Sequence, residues 1–287
     1  MAKQKLDYGF SHYMMFCTLM KDPKACAWLI EKILPGKEIE NVITEGHDLT
    51  ENMTESQIEK TLVFNPASKF VRCDVLFKTE KEYINVEMQC TDEPNLPLRA
   101  RYYSSQLDME MLGSGDEYEK LLQKYIIFIC TFDPMGLNRP VYTFKMIEEE
   151  LAAEGNTVLN LNDKSCTIFL NTKCTSEDIP GEIRQFFNFV NENEVGDDPM
   201  YEILSRRMTA LNEWNNPWRR DIMRLDQEFH RAERKAMEKG LAEGLAKGAR
   251  EQSIKVAEKL LIKGLSDAEI AEITGLTLKD IGNLKKV

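Results

Sequence analysis

Phe70-Val71-Arg72-Cys73-Asp74-Val75-Leu76-Phe77, a charged connection at residues 78–82, and then Tyr83-Ile84-Asn85-Val86-Glu87-Met88-Gln89-Cys90 form the clearest stretch of the chain. Two runs rich in β-branched and aromatic residues, joined by a short polar link, read as a β-hairpin. Residues equidistant from a hairpin turn face each other, and the midpoint of 74 and 87 is 80.5, inside the connection. Asp74 and Glu87 are therefore expected side by side. Alternation along the strand puts Glu87 and Gln89 on one polar face, with Val86, Met88 and Cys90 on the other. Two carboxylates held a few ångströms apart repel each other unless one is protonated or a cation sits between them. Mg2+ suits such a pair, completing its shell with water and phosphate oxygens. A plainer reading also fits, in which Asp74 ends a strand and Glu87 lies on a solvated face.

Outward from the hairpin, residues 6–34 show apolar positions at three- and four-residue steps, a helical pattern broken near Asp22-Pro23 and closed by Pro35-Gly36. Strand candidates lie at 39–44 and 60–64. After the hairpin, Pro94 and Pro97 precede a helical pattern over 98–112 that ends at Gly113 and Gly115. Further strands are expected at 125–130, 141–147 and 166–170, and only helices after Ser176. This order gives an α/β core of the α+β kind with an all-α C-terminal extension. The expected divisions are a core at 1–175, a helical extension at 176–250 and a small helical module at 251–287.

The chain has 287 residues, 43% of them hydrophobic and 30% charged, enough apolar material to exclude wholesale disorder. Its 37 Lys+Arg against 48 Asp+Glu give a net charge of −11, unlike a general nucleic-acid binder. The surplus is uneven. Residues 217–287 hold 15 basic and 12 acidic side chains, net +3, leaving 22 against 36, net −14, for residues 1–216. Seven scattered cysteines without a C-x-x-C pair argue against zinc knuckles and a disulfide framework. Three widely spaced histidines leave little for a His-rich metal site, so the chemistry is expected on carboxylates. No leader-like start and no run near the ~20 apolar residues of a membrane span are present. A reduced, cytoplasmic protein without a membrane partner is expected.

The D-x12-E-x-Q pattern of Asp74, Glu87 and Gln89, followed by a helix opening with Arg99 and Tyr103, resembles the PD-(D/E)xK nuclease superfamily. Within it, the chain is similar to the Rpn-type recombination-promoting nucleases that carry a transposase label. The similarity takes in Asp7 and Phe10, the Gly115-x-x-Tyr118 step, the strand at 125–129 and the Gly-punctuated C-terminal helix. The resemblance implies a restriction-endonuclease-like αβββαβ core with a mixed sheet. It makes Asp74 and Glu87 Mg2+ ligands, with the Met88 carbonyl as a third oxygen and Mn2+ as a substitute ion. Asp7 would be an accessory acid; an N-cap for a helix starting at Tyr8 is the more sober alternative. Two departures stand out: no proline precedes Asp74, and Gln89 occupies the usual lysine position. A lysine there stabilises charge on the attacking water and the phosphate, whereas a glutamine positions by hydrogen bonds alone.

Arg99 and Arg101 are candidates for phosphate contacts, with Tyr103 and Gln106 on the side of Arg99. Helix-surface charges and a core tyrosine are the alternatives. Lys69 and Arg72, flanking Asp74, are either phosphate contacts or solvated strand charges. In the tail, Gly240, Gly244 and Gly248 recur every four residues in a segment too polar for a membrane, which suits close packing between two copies or a helical connector. Beyond it, Ser266-x-x-Glu269 and Thr277-x-x-Asp280 have capping-box spacing. Ala271, Gly275, Leu276, Ile281 and Leu284 fit a helix-turn-helix module that presents Thr277, Lys279, Asn283 and Lys285 outward. Small three-helix units of this pattern also dimerise proteins. The expected function is a Mg2+-dependent DNA endonuclease, with Gln89 orienting water, no nucleotide cofactor, and a homodimer formed through the C-terminal helices. The alternative is a weakly active or inactive DNA-binding or assembly protein that retains the nuclease fold.

Overall fold

A computed structural model describes residues 7–35, 37, 42–44, 54–58, 61–62, 71–72, 74–79, 81–149 and 159–284. Lys69, Lys285 and the side chain of Arg72 lie outside the described residues, as do parts of the two strands expected at 39–44 and 60–64. The chain divides into two compact units, 1–219 and 220–287.

The first unit opens with helices α1 (Tyr13–Leu19) and α2 (Pro23–Ile33). Their boundary is set at Asp22, whose carboxylate accepts from the Lys24 amide at 2.8 Å, with Pro23 opening α2 where its missing N–H costs nothing. No helix starts at Tyr8, so Asp7 is not an N-cap; α1 is capped at His12. Strands β1 (Val42–Thr44) and β2 (Thr54–Ile58) follow, then β3 (Thr61–Leu62), β4 (Val71–Arg72), β5 (Val75–Lys78) and β6 (Glu82–Gln89). Helix α3 (Leu96–Met111) leads to β7 (Gln123–Cys130), β8 (Val141–Phe144) and β9 (Ser165–Asn171). Helices α4 (Gly181–Glu192) and α5 (Pro199–Leu211) complete the series.

Among the described residues, one mixed sheet has the order β1-β2-β5-β6-β7-β9-β8, and β3 and β4 form a separate antiparallel pair. β5 runs antiparallel to β2 and β6, whereas β7 is parallel to both β6 and β9. The two-residue alternation of the strands serves two cores. Val75, Phe77, Ile84, Val86, Met88, Ile127, Ile129, Ile168 and Leu170 pack with apolar side chains of α1, α2, α4 and α5. Leu76, Tyr83, Ile126, Phe128 and Phe169 face the other way, onto Leu96, Ala100 and Leu107 of α3. The sheet thus carries helices on both faces, the α/β arrangement expected, and the polar face of β6 is covered rather than solvated: Asn85, Glu87 and Gln89 are all buried.

The boundary expected at 175 does not divide the compact units. Phe186, Phe189, Tyr201, Leu204 and Met208 of α4 and α5 lie in the same core as α1 and α2. Asn193, left-handed at φ 56° after α4, accepts from the Phe10 amide at 2.8 Å, and a Cβ on Gly9 would stand 2.7 Å from its side chain. The helical extension is therefore stitched to the N-terminal segment.

Residues 217–262 form one helix, α6 (Pro217–Ile262), so the break expected at 250 falls inside a continuous helix. Apart from the helix's own nearby backbone, a Cβ placed on Gly240, Gly244 or Gly248 would meet no atom of the described residues within 4 Å. Within the second unit, the end of α6 packs with α7 (Asp267–Thr274) and α8 (Leu278–Leu284) around Ala257, Ile270, Leu276 and Ile281. Both capping boxes form, Ser266 with Glu269 and Thr277 with Asp280, and Gly275 turns at φ 69°.

Candidate active site

The register Val75↔Val86, Leu76↔Asn85, Phe77↔Ile84 and Lys78↔Tyr83 is symmetric about the midpoint read from the sequence. Extended by one residue, it sets Asp74 against Glu87 where β5 gives out. The Asp74 amide donates to Glu87 Oε1 at 3.1 Å, and the Met88 amide donates to Asp74 Oδ2 at 2.9 Å. Each carboxylate is thus tied to the backbone that carries the other. Asn85, two residues before Glu87 and on the same face, donates to Oε1 at 3.0 Å.

Glu87 is fully buried, and Asp74 is 7% exposed. Burial first, and the neighbouring charge of Asp74 second, push the Glu87 carboxyl up to about 8; Arg99 and the hydrogen bonds from Asp74 and Asn85 pull the other way. Arg99 reaches in from the first turns of α3. Its Nη2 lies 3.2 Å from Glu87 Oε2, its Nη1 donates to Gln89 Oε1 at 2.8 Å, and its Nε donates to the Tyr103 hydroxyl at 3.3 Å. The guanidinium also packs over the rings of Tyr103 and Phe128, 5.3 and 5.4 Å from their centroids. Burial would lower the Arg99 pKa, but Tyr103 and Glu87 outweigh it and hold the charge. Gln89 Nε2 donates to the Thr91 carbonyl at 2.6 Å.

Asp74, Glu87, Met88, Gln89, Arg99 and Tyr103 thus converge. Other candidates of the first unit do not join them: Asp7 pairs with Arg219, Arg101 is exposed on α3, and Gln106 is buried on the same helix. Within the second unit, Lys279 and Asn283 are exposed on α8. Sequence reasoning passed over Asn85, although the period of two that joined Glu87 to Gln89 also includes it. Its Oδ1 has no hydrogen-bond partner among the described residues.

These groups suit a hard cation. The donors are oxygens, two of them carboxylates whose mutual repulsion a divalent ion relieves, and the orphaned amide oxygen of Asn85 shows that the buried cluster holds acceptor capacity to spare. Among the described residues, no group of three or more His, Cys, Asp or Glu is placed to hold a metal by itself, so an ion held by the pair would need water or phosphate oxygens to complete its shell. Cys90 and Cys130, adjoining Gln89 in the chain and across the β6–β7 ladder, are not ligands of this kind; burial pushes the Cys130 thiol up to about 12 and raises that of Cys90.

No helix of the described residues is long and apolar enough to cross a membrane. Comparison with curated proteins and with solved structures returned no match. The family model for a PD-(D/E)XK nuclease family transposase matches residues 4–178, which span the sheet, α3 and every member of the Asp74–Glu87–Gln89–Arg99 cluster. The chain belongs to the PD-(D/E)XK nuclease transposase family.

Proposed function

We propose that the protein is a Mg2+-dependent DNA endonuclease that hydrolyses phosphodiester bonds at the Asp74–Glu87 pair. The observation that carries this reading is the opposition of two buried carboxylates across β5 and β6, one of them pushed up to about 8 by burial and by the other. A fold stabilised for its own sake would gain from replacing such a pair with apolar side chains. Asp74 and Glu87 would hold the ion. The Met88 carbonyl is a further donor, because the amide of the same residue already reaches Asp74 on that edge of the strand. When bound, such an ion lowers the pKa of a coordinated water and neutralises charge developing on the phosphate. Asn85 and the Asp74 amide fix the Glu87 carboxylate, and the Met88 amide fixes that of Asp74, so neither has to be ordered when substrate arrives.

Conversion of supercoiled plasmid to nicked or linear DNA tests the reading. Cleavage is expected with Mg2+ or Mn2+, absent with EDTA, and at least 100-fold slower in Asp74→Ala and Glu87→Ala. Cleavage that survives either substitution would refute it. One observation favours the second reading, an inactive DNA-binding protein: the Arg99 guanidinium already occupies Glu87 Oε2, at 3.2 Å. DNA binding without cleavage at any metal concentration would establish that reading instead.

A further inference from the structure

Gln89 has both polar ends of its amide engaged: Oε1 accepts from Arg99 and Nε2 donates to the Thr91 carbonyl. The strand position that would carry a lysine is neutral, yet a guanidinium stands 2.8 Å from it, delivered by α3. Three of the five N–H donors of that guanidinium go to Tyr103, Gln89 and Glu87, which leaves one N–H on each terminal nitrogen; Nη1 also lies 3.7 Å from the exposed carboxylate of Glu93, an ion pair that a phosphate would have to displace. Its side chain is 28% exposed, so solvent reaches a group otherwise packed over two rings. A planar, permanently charged fork, with one donor on Nη2 left over and the one on Nη1 met only by the exposed Glu93 carboxylate, is the geometry that meets a phosphate.

We propose that Arg99 is the cation of this site, contacting a non-bridging phosphate oxygen, and that Gln89 is a positioning residue whose amide holds the guanidinium in place rather than orienting water. In hydrolysis the water oxygen bonds to phosphorus, the bond from phosphorus to the departing sugar oxygen breaks, and that oxygen takes up the proton the water gives up. Arg99 stays protonated throughout and offsets the charge gathering on the phosphate. Hydrogen bonds to Glu87 and Gln89 keep the guanidinium near the carboxylates until a phosphate displaces Glu93 and takes the remaining donors.

The cleavage arm of the test rests on the endonuclease reading; the binding arm does not. In plasmid cleavage, Arg99→Gln is expected to lose about 100-fold or more, comparable to removal of one charge-stabilising donor. Arg99→Lys keeps part of that rate. Gln89→Lys, which sets a second cation against Arg99, is slower than wild type, whereas Gln89→Lys combined with Arg99→Gln regains at least tenfold over Arg99→Gln alone. A packing role for Arg99 gives no such rescue. In the binding arm, fluorescence anisotropy on duplex DNA in EDTA follows the salt dependence of affinity. Arg99→Gln should reduce the slope of log K against log[salt] by about one, the signature of one lost phosphate contact. An unchanged slope, cleavage within threefold of wild type, or absence of rescue overturns the proposal. If wild type does not cleave, the endonuclease reading fails and the slope alone decides. If Arg99→Gln does not fold, as judged by circular dichroism, Gln89→Lys decides: a rate or slope at or above wild type overturns the proposal.

Discussion

Glu87 is a carboxylate that the fold makes costly to ionise, and the sign of that cost yields a prediction. Its folded pKa, about 8, lies above the ordinary value of 4.5, so between these limits the folded protein keeps a proton that the unfolded chain has lost. Stability from this group is full below pH 4.5 and is lost as pH rises toward 8. In EDTA, the Tm of wild type should therefore fall relative to Glu87→Gln across this window, and Mg2+ should raise the wild-type Tm more at pH 8 than at pH 5.5. A pH-independent difference between the two proteins would contradict this. The closeness of Asp74 and Glu87 was legible in the sequence, because hairpin symmetry is arithmetic. The engagement of Glu87 and Gln89 by Arg99 was not, because it depends on how α3 lies across the sheet, which no local period encodes.

The elements around the hairpin were legible where the period was strong: β5, β6, α3, β7 and β9 fall close to their expected places. β2 was missed because Thr54-Glu55-Ser56-Gln57-Ile58 shows neither strict alternation nor an apolar run. A solvated polar face of β6 stayed open as the plainer alternative, because alternation names the faces without saying what covers them. α3 covers this one, anchored by Leu107, which is fully buried, and by Lys124 of β7, which pairs with Asp108 and donates to the Ser104 carbonyl. Leu107→Ala should cost about 2–5 kcal/mol, measured by urea unfolding, because the cavity opens between α3 and the sheet. In the C-terminal module, Ser266→Ala removes the cap that closes onto Glu269 and should cost about 1 kcal/mol, read as a shift in the melting of that unit.

At the scale of the whole molecule, the net charge of −11 no longer argues against nucleic acid, although it limits how DNA can bind. On the proposed reading, a carboxylate pair that takes a cation explains a small part of the surplus, and the rest lies on surfaces turned away from substrate. Contact is then confined to a few cations such as Arg99 and exposed Arg101, with a tail of net +3. With two to four phosphate contacts, DNA affinity should be weak and fall on the order of ten- to a hundredfold between 50 and 200 mM salt; tight binding at physiological salt would tell against this distribution. The boundary at 219 was not legible because a change from strands to helices marks a change of class rather than of compact unit, and α4 and α5 return to the first core. The central claim, that Asp74 and Glu87 together form a divalent-cation site, is tested most directly by titrating the protein with Mn2+ and following free ion by electron paramagnetic resonance. The account predicts one bound Mn2+ per chain in wild type, its affinity rising with pH and lost in both Asp74→Asn and Glu87→Gln; equal binding by wild type and both variants would contradict it.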